Sequence, residues 1–153
     1  MATILLIEDD PFFVDLLRLY LTTAGYSVQV ARDPAEGLRS LLEDVPDLIL
    51  LGLDLPYLSG IEVLEALRSD PASRKIPIII VTGRTDDETY TRCARIGFDG
   101  FFAKPLVGDK LSKAIAETLA ERAKALGADA VVSKPFNRSG LVAAIRAQLR
   151  TKV

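Results

Sequence analysis

PDLILLGLDLPYLSG, residues 46–60, contains the apolar run around which the rest of the chain is arranged. Consecutive apolar residues at 48–51 are typical of a strand buried on both faces of a parallel sheet. In open α/β sheets, reacting groups collect where such strands end, because the loops diverge there and leave a crevice. This strand runs out at Gly52, and the nearest acid, Asp54, lies two residues later.

Other short apolar runs alternate with helical patterns along the chain. The predicted strands are residues 4–7, 27–31, 47–53, 76–81 and 100–103. Predicted helices begin near Asp10-Pro11, Asp33-Pro34, Ser59-Gly60 and Thr85, the last with Glu88 three residues on, and a fifth spans about 109–126. Strands that alternate with helices of this length indicate βαβ units, so we predict a doubly wound α/β fold with a parallel sheet.

Composition excludes several classes of protein. The 153 residues carry 19 basic and 21 acidic side chains, a net charge of −2, which argues against a broad nucleic-acid footprint. With no His and one Cys, the chain can form neither an internal disulfide nor a zinc site of the usual ligands. The first residues, MATILLIEDD, lack a basic leader and reach acids after four apolar positions. With no run long enough to cross a membrane, these features predict a cytoplasmic protein.

An internal repeat occupies the last third of the chain. Residues 92–119 and 122–149 align without a gap at an offset of 30, and nine of the 28 positions are identical. The matched residues include Lys104-Pro105 with Lys134-Pro135 and three aliphatic positions of a helix, Leu111, Ile115 and Leu119. We interpret residues 1–121 as one domain and 122–153 as a duplicated strand–helix extension.

The second copy predicts a strand at about 130–133, for which three placements are open. It extends its own sheet as a sixth strand, which we favour, or it is exchanged with a second protomer, or the tail packs on the surface. A sixth strand beside the fifth requires the preceding helix to share a face with the third and fourth helices. In a five-stranded fold that helix lies with the first one.

Polar side chains follow four of the predicted strands, and their joint spacing resembles the receiver domain of bacterial response regulators. The residues that carry the resemblance are Glu8 and Asp9, the turn Leu55-Pro56 to Gly60, Thr82 and Lys104. The resemblance covers Ile4 to about Leu119. It implies a flavodoxin-like strand order 2-1-3-4-5 and phosphoryl transfer from a histidine kinase to an aspartate. It further implies that the acid pair binds Mg²⁺, that Thr82 and Lys104 contact the phosphoryl group, and that Phe101 is an aromatic switch residue.

The phosphoacceptor that the resemblance implies is missing. The family's aspartate lies four residues before the loop proline, which is Gly52 here, and the distances from this position to Thr82 and Lys104 match the family spacing. No insertion has therefore displaced the acid. Asp54 borders the pocket and is a candidate substitute acceptor. It lies two residues beyond Gly52, a distance of about 6.5 Å along an extended strand.

We therefore predict a stand-alone pseudo-receiver that acts as an interaction module and not as an enzyme. Its acidic pocket of Glu8, Asp9 and Asp54 is expected to bind Mg²⁺ weakly, and Lys104 to pair with Glu8 or Asp9. Expected partners are a histidine kinase or another signalling protein, and a second copy through the repeat, with no nucleic acid and no membrane. Lys134 repeats the Lys-Pro motif but has no second acid cluster to pair with, so we interpret it as part of the duplication. Cys93 is interpreted as a core residue.

Two alternatives remain open. One is an active receiver that accepts a phosphoryl group on Asp54 with Mg²⁺. The other is a nucleotide- or flavin-binding enzyme on the same fold. It lacks support because acids, which would repel phosphate, follow the first strand in place of a glycine-rich loop.

Overall fold

A computed structural model describes residues 2–55, 59–104 and 108–125. The strands are β1 Thr3–Ile7, β2 Ser27–Ala31, β3 Leu48–Leu51, β4 Ile78–Thr82 and β5 Gly100–Ala103. The helices are α1 Pro11–Thr23, α2 Pro34–Glu43, α3 Gly60–Ser69, α4 Asp87–Ile96 and α5 Gly108–Ala125. Within these residues no helix is both long and apolar enough to cross a membrane.

The five strands form one parallel sheet in the order β2-β1-β3-β4-β5, which confirms the predicted doubly wound, flavodoxin-like topology. The register pairs Ile7 with Leu51, Leu51 with Ile80, and Ile80 with Phe101. Four strands therefore end at the same edge of the sheet. The central strands β3 and β4 are buried along their whole length, as their continuous apolar sequences predict.

Two apolar clusters cover the two faces of the sheet. One joins the sheet to α1 and α5, and it includes Leu111, Ile115 and Leu119. The other joins it to α3 and α4, with α2 side chains packed against it. Successive side chains of a strand point to opposite faces of the sheet, so Leu50 belongs to the first cluster and Leu51 to the second.

Helix starts follow the predicted caps except at α4. Asp10, Asp33 and Ser59 each accept hydrogen bonds from backbone N–H groups of the turn they open. The predicted start at Thr85 is wrong by one residue, because Asp86 is the N-cap and accepts hydrogen bonds from both the N–H and the hydroxyl of Thr89. These hydrogen bonds lower the pKa of Asp86.

The position of α5 bears on the predicted sixth strand. Residues 130–133 lie outside the described residues, so that strand is untested. The helix that leads to it packs in the same cluster as α1, which is the placement expected of the five-stranded form. A right-handed crossover from this face does not lead to a strand beside β5.

Candidate functional site

The polar residues that the sequence analysis singled out converge at the carboxyl edge of the sheet. Glu8 directly follows β1, Gly52 follows β3, Thr82 ends β4 and Lys104 follows β5. The N–H of Lys104 donates to the carbonyl of Thr82 at 2.9 Å, and the N–H of Gly52 donates to the carbonyl of Ile7 at 2.8 Å. Backbone ladders therefore hold all four positions in one crevice.

An ion pair between Glu8 and Lys104 occupies the centre of this crevice. Lys104 Nζ lies 2.7 Å from Glu8 Oε1, and the side chains are 27% and 4% exposed. The ammonium also lies 4.2 Å from the centroid of the Phe13 ring, a cation–π contact. The predicted pairing of Lys104 with the acid pair is thus observed, and its partner is Glu8.

The second oxygen of the Glu8 carboxylate is also engaged. Oε2 accepts hydrogen bonds from the backbone N–H groups of Asp9 at 3.0 Å and of Asp10 at 3.2 Å. A buried carboxylate is tolerated only when its oxygens are paired in this way. Glu8 is consequently fixed by three donors, two of them from the backbone.

The missing side chain at Gly52 makes room for this carboxylate. A Cβ placed on Gly52 would lie 2.8 Å from Glu8 Oε1, closer than real Cβ contacts, and 3.1 Å from the Glu8 carboxyl carbon, tighter than most of them. Glu8 therefore fills the volume into which a side chain at position 52 would project. No side chain projects from the end of β3 at this position, and the carboxylate of Glu8, which follows β1, lies in the adjoining space.

Gly60 is required for a separate reason, at the start of α3. A Cβ there would overlap the carbonyl oxygen of Gly52 and the Cα of Leu53. The N–H of Gly60 also donates to the carbonyl of Leu53 at 2.8 Å. The helix start is thus packed directly on the backbone that follows β3, which holds the Gly52 segment in position.

Thr82 and Phe101, which the family resemblance singles out, lie on the neighbouring strands β4 and β5. Thr82 is buried, and its hydroxyl oxygen accepts a hydrogen bond from the N–H of Arg84 at 2.9 Å. Phe101 packs edge-on against Tyr90, with ring centroids 5.1 Å apart, and also contacts Phe98. Phe101 therefore belongs to an aromatic cluster with Tyr90 and Phe98, and it packs against the apolar cluster that joins the sheet to α3 and α4.

The remaining acids do not complete a cation site. Asp9 and Asp54 are exposed, and Asp10 is used as the α1 cap. Across the described ranges, no group of three or more His, Cys, Asp or Glu is placed to hold a metal ion. A hard divalent cation needs several oxygen ligands. Both oxygens of Glu8 already have donors, so a divalent cation in this arrangement would compete with Lys104 for the carboxylate.

Two features of the site escaped the sequence analysis. Phe13 is not among the site residues that the sequence predicts, yet its ring supports Lys104. The sequence analysis also missed that Glu8 fills the space beside Gly52. The usable signal was a glycine after one strand together with a glutamate, whose side chain is longer than that of aspartate, after the neighbouring strand. Lys134 lies outside the described residues. Cys93 is fully buried, which raises the pKa of its thiol and agrees with a core role.

Curated relatives of this chain are transcriptional regulators. It is 36% identical to the transcriptional regulatory protein KdpE of Mycobacterium tuberculosis over 110 residues, which are 72% of this chain and 47% of that protein. It is 33% identical over 152 residues to the DNA-binding dual master transcriptional regulator RpaA of Synechocystis, covering 98% of this chain and 50% of that protein. The chain thus spans about half the length of these relatives.

Solved structures share the fold. A CheY-like receiver domain protein from Methanospirillum hungatei matches with a TM-score of 0.77 and 29% identity, covering 82% of this chain and 98% of the other. The receiver domain of a Pseudomonas aeruginosa sensor histidine kinase, with a magnesium ion coordinated in its active-site cleft, matches with a TM-score of 0.70 and 28% identity over 76% of this chain and 95% of its own.

The sequence profile of the response regulator receiver domain matches residues 4–116, which is most of the chain and includes all four strand ends of the site. The topology, the converging polar residues and this match agree. The chain belongs to the response regulator receiver domain family.

Proposed function

We propose that this receiver is a pseudo-receiver: an interaction module of two-component signalling whose acceptor position is filled by the chain's own Glu8 carboxylate. The observation that carries the proposal is the 2.8 Å approach of a Cβ at Gly52 to Glu8 Oε1. Position 52 has no nucleophile, and the space for one is taken. Lys104, the cation that would meet a phosphoryl group, already has an anionic partner at 2.7 Å.

The Glu8 carboxylate is a poor acceptor in its own right. Its side chain is 4% exposed, and Lys104 together with the N–H groups of Asp9 and Asp10 engages its oxygens. Attack on a phosphodonor would require an oxygen lone pair to be freed and the carboxylate to reach solvent. The same saturation supports the proposal that Mg²⁺ affinity is weakened, since a cation would have to displace the Lys104 ammonium.

The ion pair holds the pocket in one state, so signalling would depend on protein contacts and not on phosphorylation. A histidine kinase or another signalling protein is the partner that this family assignment favours, and a net charge of −2 supports a protein over a nucleic acid. A cytoplasmic setting and a homodimer through the repeat stay predictions.

Intact-mass analysis after incubation with acetyl phosphate and Mg²⁺ tests the proposal. We expect no phosphoryl adduct on the wild-type chain. The matched control is the double variant Glu8→Asp/Gly52→Asp, in which the shorter acid leaves room for an aspartate at position 52, and this variant should gain an adduct. The single variant Gly52→Asp should gain much less, because Glu8 still fills the site.

The location of any wild-type adduct decides between the alternatives. An adduct mapped to Asp54, which is exposed at the rim of the crevice, would show an active receiver with a substitute acceptor. An adduct mapped to Glu8 would show that the displaced carboxylate has taken over the reaction. Either result contradicts the pseudo-receiver.

A further inference from the structure

An open apolar groove, called here the α2 groove, lies between α2 and the segment that follows α3. Its volume is about 550 Å³, and most of the side chains on both of its walls are apolar. Leu42 and Val45 line it and are 87% and 57% exposed. Exposed apolar side chains that border an apolar depression are typical of an interaction surface, whereas single ones scattered over a surface are not.

The α2 groove lies at the opposite end of the sheet from the Glu8–Lys104 ion pair. Leu42 and Val45 precede β3, and Ile76 on the other wall precedes β4, so the groove is at the amino edge. The ion pair is at the carboxyl edge. An interaction in the groove therefore goes beyond the proposed pseudo-receiver function and does not depend on it.

Three charged side chains surround Leu42 on the α2 wall. Arg39 lies three residues before it, and Glu43 and Asp44 directly follow it. All three are exposed, and within the described part of the chain none of their side chains forms an ion pair or a hydrogen bond. The exposed leucine thus has an unpaired basic group on one side along the chain and two unpaired acidic groups on the other.

The rim of the α2 groove as a whole is balanced in charge. The α2 wall has one basic and two acidic side chains, and the opposite wall has one acidic side chain, Asp70, and two basic ones, Arg74 and Lys75. The three basic and three acidic groups give a net charge of zero. A strongly acidic or strongly basic partner gains no net attraction from such a rim, whereas a partner with alternating charges does.

The order of the charges along α2 makes this surface complementary to itself. If a two-fold axis passes beside Leu42, α2 of one copy runs antiparallel to α2 of a second copy. Arg39 of each copy then faces Glu43 and Asp44 of the other, and the contact occurs twice. The two Leu42 side chains meet at the axis, where each lies at the mouth of the other copy's groove. A second copy of this chain therefore supplies both the apolar side chains and the charges that the surface requires.

We propose that the α2 groove is the interface of a two-fold symmetric homodimer. Leu42 and Val45 of each copy pack into the groove of the other, and Arg39 pairs with Glu43 and Asp44 across the axis. Eleven residues line the groove, fewer than the roughly 20–30 that each partner contributes to a stable interface. The dimer is therefore a weak one, with a dissociation constant of about 10–100 µM.

Sedimentation velocity of the full chain from about 1 to about 500 µM tests the dimer, because this range brackets the expected dissociation constant. The wild type should change from monomer to dimer across the range. Leu42→Asp should raise the dissociation constant at least about tenfold. The matched control is Leu19→Asp, at a leucine that is 65% exposed on α1, on the opposite face of the sheet, and it should leave the dissociation constant unchanged.

A pair of charge variants tests the symmetry of the contact. Arg39→Glu places an acid against two acids of the second copy, and Glu43→Lys/Asp44→Lys places two bases against Arg39. Each variant alone should dimerise at least about tenfold more weakly than the wild type. Because the two changes are complementary, an equal mixture should form a heterodimer with a dissociation constant within about threefold of the wild-type value. All three positions are exposed, so the variants should fold.

Three results would overturn the proposal. One is a wild-type chain that stays monomeric across the concentration range, which would leave the groove to another protein, to the chain's own remaining residues or to solvent. Another is a dimer that withstands Leu42→Asp, because it would form through a different surface, such as the predicted repeat. The last is a mixture of the two charge variants that associates no better than either variant alone.

Discussion

The two ends of the sheet in this receiver differ in how completely their groups are satisfied. At the carboxyl edge, the Glu8 carboxylate pairs with Lys104 and accepts hydrogen bonds from two backbone N–H groups. The same carboxylate fills the space beside Gly52. At the amino edge, a groove between α2 and the segment that follows α3 leaves Leu42 and Val45 in solvent. The carboxyl edge is therefore built from paired polar groups, whereas the amino edge keeps apolar side chains exposed.

Removing the cation from the closed edge should have the largest effect. Lys104→Met leaves Glu8 buried without its counter-charge, so we expect a loss of about 3 kcal/mol in the free energy of unfolding, toward the low end for broken buried pairs because Lys104 is 27% exposed. Urea denaturation measures it.

The double variant Glu8→Gln/Lys104→Met is the control for that loss. It removes both charges, and it should recover at least about 1 kcal/mol relative to Lys104→Met, because no buried charge is left unpaired. A double variant that is no more stable than Lys104→Met would contradict the ion pair as the organising contact of this edge.

Adding a single methyl group at position 52 should have the next largest effect. Gly52→Ala places a Cβ 2.8 Å from Glu8 Oε1, and three donors resist movement of that carboxylate, so we expect a loss of about 2 kcal/mol from overpacking. The matched control is Gly83→Ala, where a Cβ would meet nothing within 4 Å. Equal unfolding midpoints for the two variants would show that Glu8 moves freely and that the edge is not closed.

The open edge should respond to polar substitution no more than a bare surface does. Leu42→Ser removes an aliphatic side chain that is 87% exposed in the described structure. A side chain this exposed has little apolar contact to lose, so we expect a loss within about 0.5 kcal/mol, the usual range for surface substitutions. A loss of about 1 kcal/mol or more, measured by urea denaturation of the dilute monomer, would instead show that Leu42 is buried in solution. Leu19→Ser on α1 provides the reference value.

The smallest expected effect is a pH dependence at Asp47, beside the end of α5. Burial raises the pKa of Asp47, against the opposing influence of the hydrogen bond from the Thr3 N–H and of Arg122. The folded state then binds this proton more tightly than the unfolded state, so the contribution of Asp47 is fully present below the unfolded pKa of 3.8 and is lost as pH rises through the folded value.

Asp47→Asn should remove this dependence and keep an acceptor for the Thr3 N–H. Its stability relative to wild type should therefore increase slightly as pH rises from about 3 to 6. Chemical denaturation across this pH range measures the difference. A relative stability that decreases with pH would show that attraction to Arg122 exceeds the cost of burial.

The fold was predictable from local pattern because each buried strand is a short apolar run bounded by a helix cap. Asp10, Asp33 and Ser59, near which the sequence predicts helix starts, are the observed N-caps. The start of α4 was less predictable, since Thr85 and Asp86 are both capping residues and neighbours in sequence. The geometry favours the carboxylate, which accepts two hydrogen bonds from Thr89.

The components of the site were predictable, and their mutual fit was not. Spacing identified Glu8, Thr82 and Lys104 and showed that position 52 lacks a carboxylate. It could not choose between Glu8 and Asp9 as the partner of Lys104, because adjacent residues after a strand point in different directions according to the local backbone. Asp9 is exposed, whereas Glu8 points into the crevice beside β3.

The sequence by itself thus determined the strand order, the family and the absence of an acceptor at Gly52, since all three depend on residue type and spacing along the chain. Tertiary structure alone decided that Glu8 fills the space beside Gly52, that Phe13 supports Lys104, and that Arg122 of α5 donates to the carbonyl of Asp47. These are contacts between residues far apart in the chain, and their geometry depends on how the layers pack at ångström scale, which residue spacing does not encode.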